Sequence, residues 1–295
     1  MCIIEDMKKG NVLLFITAVI WGMAFVAQSV AMDNIGPWTF TCLRSYIAGI
    51  TLTILMPFFH AEKKKDSYLW KGGLACGICL CISSILQQFG VKFTTVGKAG
   101  FITALYVVIV PILSMFFGKK ISKKMVCCVA LSVMGLYFLC MKETLTITKG
   151  DMFVLFCALG FAVHILVVDY FSKKTDGVSM SCIQFYVVGI LCTIPMLVIE
   201  KPSLDSIALA LVPILYAGVL SSGAGYTLQI VGQKDTDPTV ASLLMSLESV
   251  FAAIGGFLLL HQTMTTKEVI GCMLTFMAII LSQIPIENWI KKEHR

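Results

Sequence analysis

Three ionisable side chains stand inside apolar stretches of this chain, and each is of a type that binds charge or moves protons. Glu248 lies about ten residues into a 22-residue run, which at about 1.5 Å of helix rise per residue puts it near the middle of a bilayer. A lone carboxylate there must hold a proton, meet a cation or sit in cavity water. It therefore suits a substrate amine or proton coupling, with a structural hydrogen bond between helices as the alternative. His164 can hold and pass protons near neutral pH, or serve as a hydrogen-bonded core residue. Arg44 offers its planar fork to a carboxylate or phosphate, or snorkels and pairs locally. Asp169, near a span end beside Lys173, fits a solvated ion pair or a gate latch.

Around these charges, polar and aromatic residues recur at helical steps of three and four: Trp21, Phe25 and Gln28; Ser83 or Ser84 with Gln87; Thr103 and Tyr106; Ser222, Tyr226 and Gln229. An apolar wall carrying a few amide and hydroxyl groups suits a small organic solute, although each residue alone also fits ordinary helix packing. The spacing of Cys76, Cys79 and Cys81 resembles a metal motif, but only the first two share a helical face and no histidine or carboxylate stands nearby. No metal, cofactor or catalytic constellation is expected, and no phosphate-binding Gly-x-x-x-x-Gly-Lys loop is present.

The elements that must position these groups are helices in lipid. The chain is 58% hydrophobic and 14% charged, with mean hydropathy +0.88, far from globular norms. Ten apolar runs can be drawn, at 11–31, 39–59, 72–91, 98–117, 125–141, 151–171, 180–199, 207–232, 239–260 and 268–286. Each approaches the roughly 20 residues that a crossing needs. The net charge of +6 is distributed by side: with the N-terminus inside, sixteen of the 23 Lys and Arg fall on inner segments and six on outer loops. That is the positive-inside pattern with both termini cytoplasmic, not a nucleic-acid footprint.

The second half repeats the first. Lys9-Gly10-Asn11 returns as Lys149-Gly150-Asp151, the Cys42, Tyr46, Gly49 set as Cys182, Tyr186, Gly189, and Gln87-x-x-Gly-x-Lys92 as Gln229-x-x-Gly-x-Lys234. Five spans per repeat is an odd number, so the halves cross in opposite senses, as in carriers whose site lies where inverted repeats meet. The expected organisation is 1–141 as the first five-helix repeat, 142–148 as a connecting loop and 149–295 as the second, all one transmembrane domain. Where the repeats differ, the cavity becomes asymmetric: His164 stands against Ala24, Glu248 against Leu105 and Arg44 against Gln184. Small residues at Gly73-x-x-x-Gly77, Gly218-x-x-x-Ser222 and Ala252-x-x-x-Gly256 permit close helix approach. Pro111, Pro195 and Pro213 fall within spans, but no strongly interrupted pair of helices is expected at matching positions.

The run Ala18-Val19-Ile20-Trp21-Gly22-Met23-Ala24-Phe25-Val26 resembles the opening of EamA-type proteins of the drug/metabolite transporter superfamily. Arg44 is similar to that family's second-span arginine, and Leu247-Glu248-Ser249-Val250 to its ninth-span Leu-Glu-Pro-Val motif, with serine in place of proline. Lys119 and Gln262 stand where the family usually carries glutamate. The resemblance covers essentially the whole chain. It implies that spans 1, 3, 4, 6, 8 and 9 line a central cavity and that spans 5 and 10 are peripheral, a surface available for a homo-oligomer.

Together these features point to an all-α polytopic membrane protein of ten helices in two inverted repeats, resident in a plasma membrane of the bacterial inner-membrane kind. Its expected function is secondary transport of a small organic metabolite, an amino acid or similar, by alternating access, with export as one direction. A passive channel or facilitator is the competing reading, and an intramembrane enzyme a weaker one. Expected cavity residues are Trp21, Phe25, Gln28, Gln87, Tyr106, His164, Tyr226, Gln229 and Glu248, with Arg44 as an ion-pair or anion contact.

Overall fold

The computed structural model of the chain describes residues 2–59, 67–94, 96–140, 148–259 and 264–284. Lys63, Lys64, Lys65, Lys142, His261, Gln262, Lys291, Lys292 and Arg295 lie outside the described residues, as does nearly all of the connecting loop 142–148. Nine helical stretches of described residues are long and apolar enough to cross a membrane, and the helix Lys123–Cys140 holds the place of the fifth span. The protein is thus an all-α, multi-pass bundle.

Local chemistry starts several spans. Pro37 and Pro238 occupy first-turn positions of the second and ninth, where a missing N–H costs nothing. Reciprocal capping boxes, Thr148 with Asp151 and Thr265 with Glu268, open the sixth span (Lys149–Ser172) and the tenth (Thr266–Gln283). At the start of the second span Glu200, from the end of the seventh, accepts the N–H groups of Trp38 at 2.9 Å and Thr39 at 2.7 Å. Its negative charge there also favours the helix dipole.

The repeats meet through the second span (Pro37–Leu55) and the seventh (Gly177–Pro195). Tyr46 Oη lies 2.9 Å from Thr193 Oγ1, and Tyr186 Oη 2.9 Å from Thr53 Oγ1. Cys42 Sγ donates to Gly189 O and Cys182 Sγ to Gly49 O, both at 3.6 Å. Each contact is the repeat copy of the other, and partners run backwards along one helix as they run forwards along the other. Antiparallel helices with reciprocal contacts define a two-fold axis perpendicular to the spans, so the repeats are inverted. Gly49 and Gly189 let the rings lie close, since a Cβ on either would come within about 3.1 Å of the opposing tyrosine ring and press it back by a few tenths of an ångström.

The same symmetry relates the two ends of the bundle. Asn11 at one end bonds Gln283, which puts the first and last spans on one face, the terminal face. There Thr236 Oγ1 donates to Asn11 Oδ1 at 3.3 Å, and Gly10 lies against Gly232 O. On the far face the repeat copies do the same: Thr94 Oγ1 donates to Asp151 Oδ1 at 2.5 Å, and Gly150 lies against Phe93 and Thr94 backbone. The small-residue motifs act as seams, Gly73 and Gly77 against Ile183 and Val187 of the seventh span, and Gly218 against Ile47 of the second.

A matched pair of spans carries a slight break of one or two residues, in which Leu105 and Ser246 stay in the right-handed helical region, so neither span is strongly interrupted. The fourth breaks between Val96–Ala104 and Tyr106–Phe116, and the ninth between Pro238–Met245 and Glu248–Leu259. Hydrogen bonds there tighten to three-residue steps, Val108 N to Leu105 O at 2.9 Å and Leu247 N to Leu244 O at 3.2 Å. No glycine or proline stands at either break; in the ninth span Ser246 Oγ bonds back to Leu243 O at 2.7 Å and competes with the ladder. The breaks also correct the alignment of the repeats, since Tyr106, not Leu105, is the counterpart of Glu248.

Gly22 in the first span packs on the ninth at this break. A Cβ there would lie 2.7 Å from Glu248 O and 2.8 Å from Ala252 N, backbone atoms that cannot swing aside. Gly22→Ala is expected to lower stability by about 1–3 kcal/mol, the cost of overpacking, measured as thermal unfolding in detergent; an unchanged midpoint would refute this packing.

Candidate functional site

A cavity lies where the repeats meet, lined by Trp21, Phe25, Gln28, Arg44, Gln87, Thr103, Tyr106, Phe161, Ile165, Ser221, Tyr226, Gln229, Met245 and Glu248. The lining comes from spans 1, 2, 3, 4, 6, 8 and 9, which adds the second to the six that the family resemblance implied. Its free volume is about 30 Å³. The site is thus a narrow crevice in this conformation.

Most of the wall obeys the pseudo-two-fold. Trp21 pairs with Phe161, Phe25 with Ile165, Gln87 with Gln229, Thr103 with Met245 and Tyr106 with Glu248. The cavity therefore straddles the axis. On it, Tyr106 Oη donates to Glu248 Oε1 at 3.0 Å, joining the two spans that carry the breaks. Glu248 is 4% exposed and Arg44 3%. Among the described residues neither forms a salt bridge, although the Arg44 guanidinium sits 5.4 Å from the Phe40 ring centroid. A guanidinium and a carboxyl group thus line one water-poor space, where polar interactions are stronger than in bulk solvent.

The eighth span widens to face this space. From Tyr216 to Tyr226 it is π-helical, with wider turns of the kind found at functional sites. Ser221 O accepts from Trp21 Nε1 at 3.0 Å, and the Trp21 and Tyr226 ring centroids lie 4.5 Å apart with the planes tilted at 51°. Gly225 makes room for the indole, because a Cβ there would lie 2.6 Å from Trp21 Nε1.

Of the ten residues expected from sequence, the structure brings nine to this cavity and sets His164 behind it. His164 Nε2 is 3.2 Å from Gln184 Oε1, and its ring meets the Tyr226 ring edge-on at 5.9 Å. Gln184 is the repeat counterpart of Arg44, so the second repeat spends on an internal hydrogen bond the position that the first gives to a charge. Phe161, Ile165, Ser221 and Met245 were missed, though the repeat carried the signal for three of them: Phe161, Ile165 and Met245 copy Trp21, Phe25 and Thr103, just as His164 copies the off-cavity Ala24. Asp169 lies on the terminal face, 2.5 Å from Lys173 Nζ and 3.0 Å from Lys119 Nζ, and Lys119 also approaches Asp237 at 3.9 Å. Lys119 thereby ties the first repeat to the second at that face.

The EamA-like transporter family profile matches residues 8–141 and matches again over 148–283, once per repeat. The chain belongs to the EamA-like transporter family. It is 28% identical to an uncharacterized transporter of Archaeoglobus fulgidus over 92% of this chain and 85% of that protein. It is 22% identical to the uncharacterized transporter YoaV of Bacillus subtilis, over 89% and 92%. A chloroplastic WAT1-related protein of Arabidopsis thaliana is 24% identical over 91% of this chain and 68% of its own length. A solved crystal structure superposes with TM-score 0.81 at 14% identity, covering 94% of this chain and 96% of its own, which establishes the likeness of fold. The protein is a membrane transporter.

Tyr106→Phe removes the hydroxyl that Glu248 accepts from and leaves a buried carboxyl short of a partner. The expected loss of stability is about 1–3 kcal/mol, read by denaturant unfolding in detergent; no loss would mean that another group, such as water, satisfies Glu248.

Proposed function

We propose that this transporter is a secondary carrier of a small organic metabolite bearing an amine and a carboxylate, an amino acid or similar, moved across the plasma membrane by alternating access. The observation that carries the reading is the axial cavity holding Arg44 and Glu248, both buried and neither in a salt bridge among the described residues. A zwitterion answers both charges: its carboxylate fits the Arg44 fork, and its ammonium meets Glu248 and the aromatic faces of Trp21 and Tyr226. A multiply anionic solute fits poorly, because Arg44 is the one cation among the lining residues.

Alternating access is supported by the paired latches. The Thr236–Asn11 contact on the terminal face and the Thr94–Asp151 contact on the far face are copies of one another, and both are closed. A device that seals one end is thus present in inverted form at the other, so rocking one repeat against the other can open either end alone. The Lys119 ion pairs are added at the terminal face. Being partly exposed, they are worth no more than about 1 kcal/mol each, enough to bias the resting conformation without locking it.

A thermal-shift screen of metabolites against the purified protein identifies the ligand, since binding to the folded state raises apparent stability. With that ligand, saturable uptake and trans-stimulation in proteoliposomes are expected; linear, unstimulated flux would indicate a pore instead. Glu248→Gln is expected to abolish the dependence of uptake on an imposed pH gradient, and unchanged coupling would remove Glu248 from proton transfer.

A further inference from the structure

The wall of the cavity contains a chain of amides whose direction is set from outside it. Ile165 O is a backbone carbonyl and can only accept, and Gln233 Nε2 donates to it at 3.1 Å. Gln233 Oε1 is thereby turned the other way and accepts from Gln229 Nε2 at 2.8 Å. Reversing either amide would set two donors or two acceptors against one another, so hydrogen bonding alone fixes the orientation of both. What remains is Gln229 Oε1, a buried acceptor with no partner, on a residue 1% exposed that lines the cavity.

The first repeat has no such relay. Gln87 is the counterpart of Gln229, but Val91 stands where the relay needs Gln233. The nearby amide pair, Gln88 donating to Gln28, is not locked, because Gln88 Oε1 at its far end has no partner and the pair can invert. Of the cavity amides, Gln229 is the one whose polarity is anchored to the backbone. It lies in the same lining as Glu248.

We propose that Gln229 is a substrate contact offering a fixed hydrogen-bond acceptor, that Gln233 is the positioning residue that fixes it, and that the group it selects is an N–H donor on the transported molecule. The inference rests on the cavity being the substrate site. Glu248 also favours an ammonium, so the share that belongs to Gln229 is the part of the preference for a donor over an oxygen that depends on Gln233.

The test uses the purified full-length protein and matched pairs of probes, each proteinogenic L-amino acid beside the 2-oxo acid with the same side chain. Wild type is expected to prefer the amino member of a bound pair by at least about tenfold. In Gln233→Met, which keeps the volume but frees the Gln229 amide to turn, the oxo acid should bind several-fold tighter than it does to wild type, while the amino acid weakens. Lost packing alone would weaken both, so equal weakening or an unchanged ratio overturns the proposal. If no pair binds at all, the amino-acid reading falls, and the relay is then judged by hydrogen exchange of the ¹⁵N-labelled Gln229 side-chain amide. Slow exchange in wild type and fast exchange in Gln233→Met support it; fast exchange in wild type, or protection that survives the substitution, overturns it.

Discussion

Each repeat lays a tyrosine against a glycine of the other and reaches past it to a threonine: Tyr46 to Gly189 and Thr193, Tyr186 to Gly49 and Thr53. Because the helices are antiparallel, this single reciprocal contact generates the two-fold on which the rest of the bundle depends. In hydrocarbon there is no aqueous drive to hold helices together, so association relies on close packing and hydrogen bonds. A glycine under an aromatic ring supplies the first and a phenol-to-threonine bond the second. The cavity, the matched helix breaks and the paired latches all follow the axis that this contact sets.

A symmetric scaffold is what the proposed opening to either face requires, but a symmetric cavity would have no orientation of its own. The chemistry enters where symmetry fails. Glu248 replaces what is Tyr106 in the other repeat, and the two bond across the axis. Arg44 faces the cavity, while its copy Gln184 is retired into a bond with His164. The relay through Gln233 exists in one repeat only. Each departure places a polar group in a medium that penalises polar groups, and each lies at or directly behind the cavity.

The family resemblance, the ten spans and the repeat were legible because lipid imposes length and apolarity on every crossing, and duplication leaves residue identities in register. Most of the cavity was legible too, since steps of three and four residues put Trp21 with Phe25 and Tyr226 with Gln229 on single faces. His164 shows the limit. Its side-chain type signalled function, but its place in the repeat, opposite Ala24, already assigned it to the face turned away. The helix breaks left no trace, because Leu105 and Ser246-Leu247 are ordinary helix residues whose turns tighten only in tertiary context.

By itself, the amino-acid sequence determined that this protein crosses a membrane as two inverted copies of five helices, because hydrophobic length and internal repetition are local properties of the chain. It also singled out the charges that hydrocarbon cannot tolerate idle. Only the tertiary structure decided which of them share a space, that Tyr106 answers Glu248, and which way Gln229 points. Those are relations between atoms on different helices, and hydrogen-bond direction is set by a partner that the sequence places 64 residues away, at Ile165.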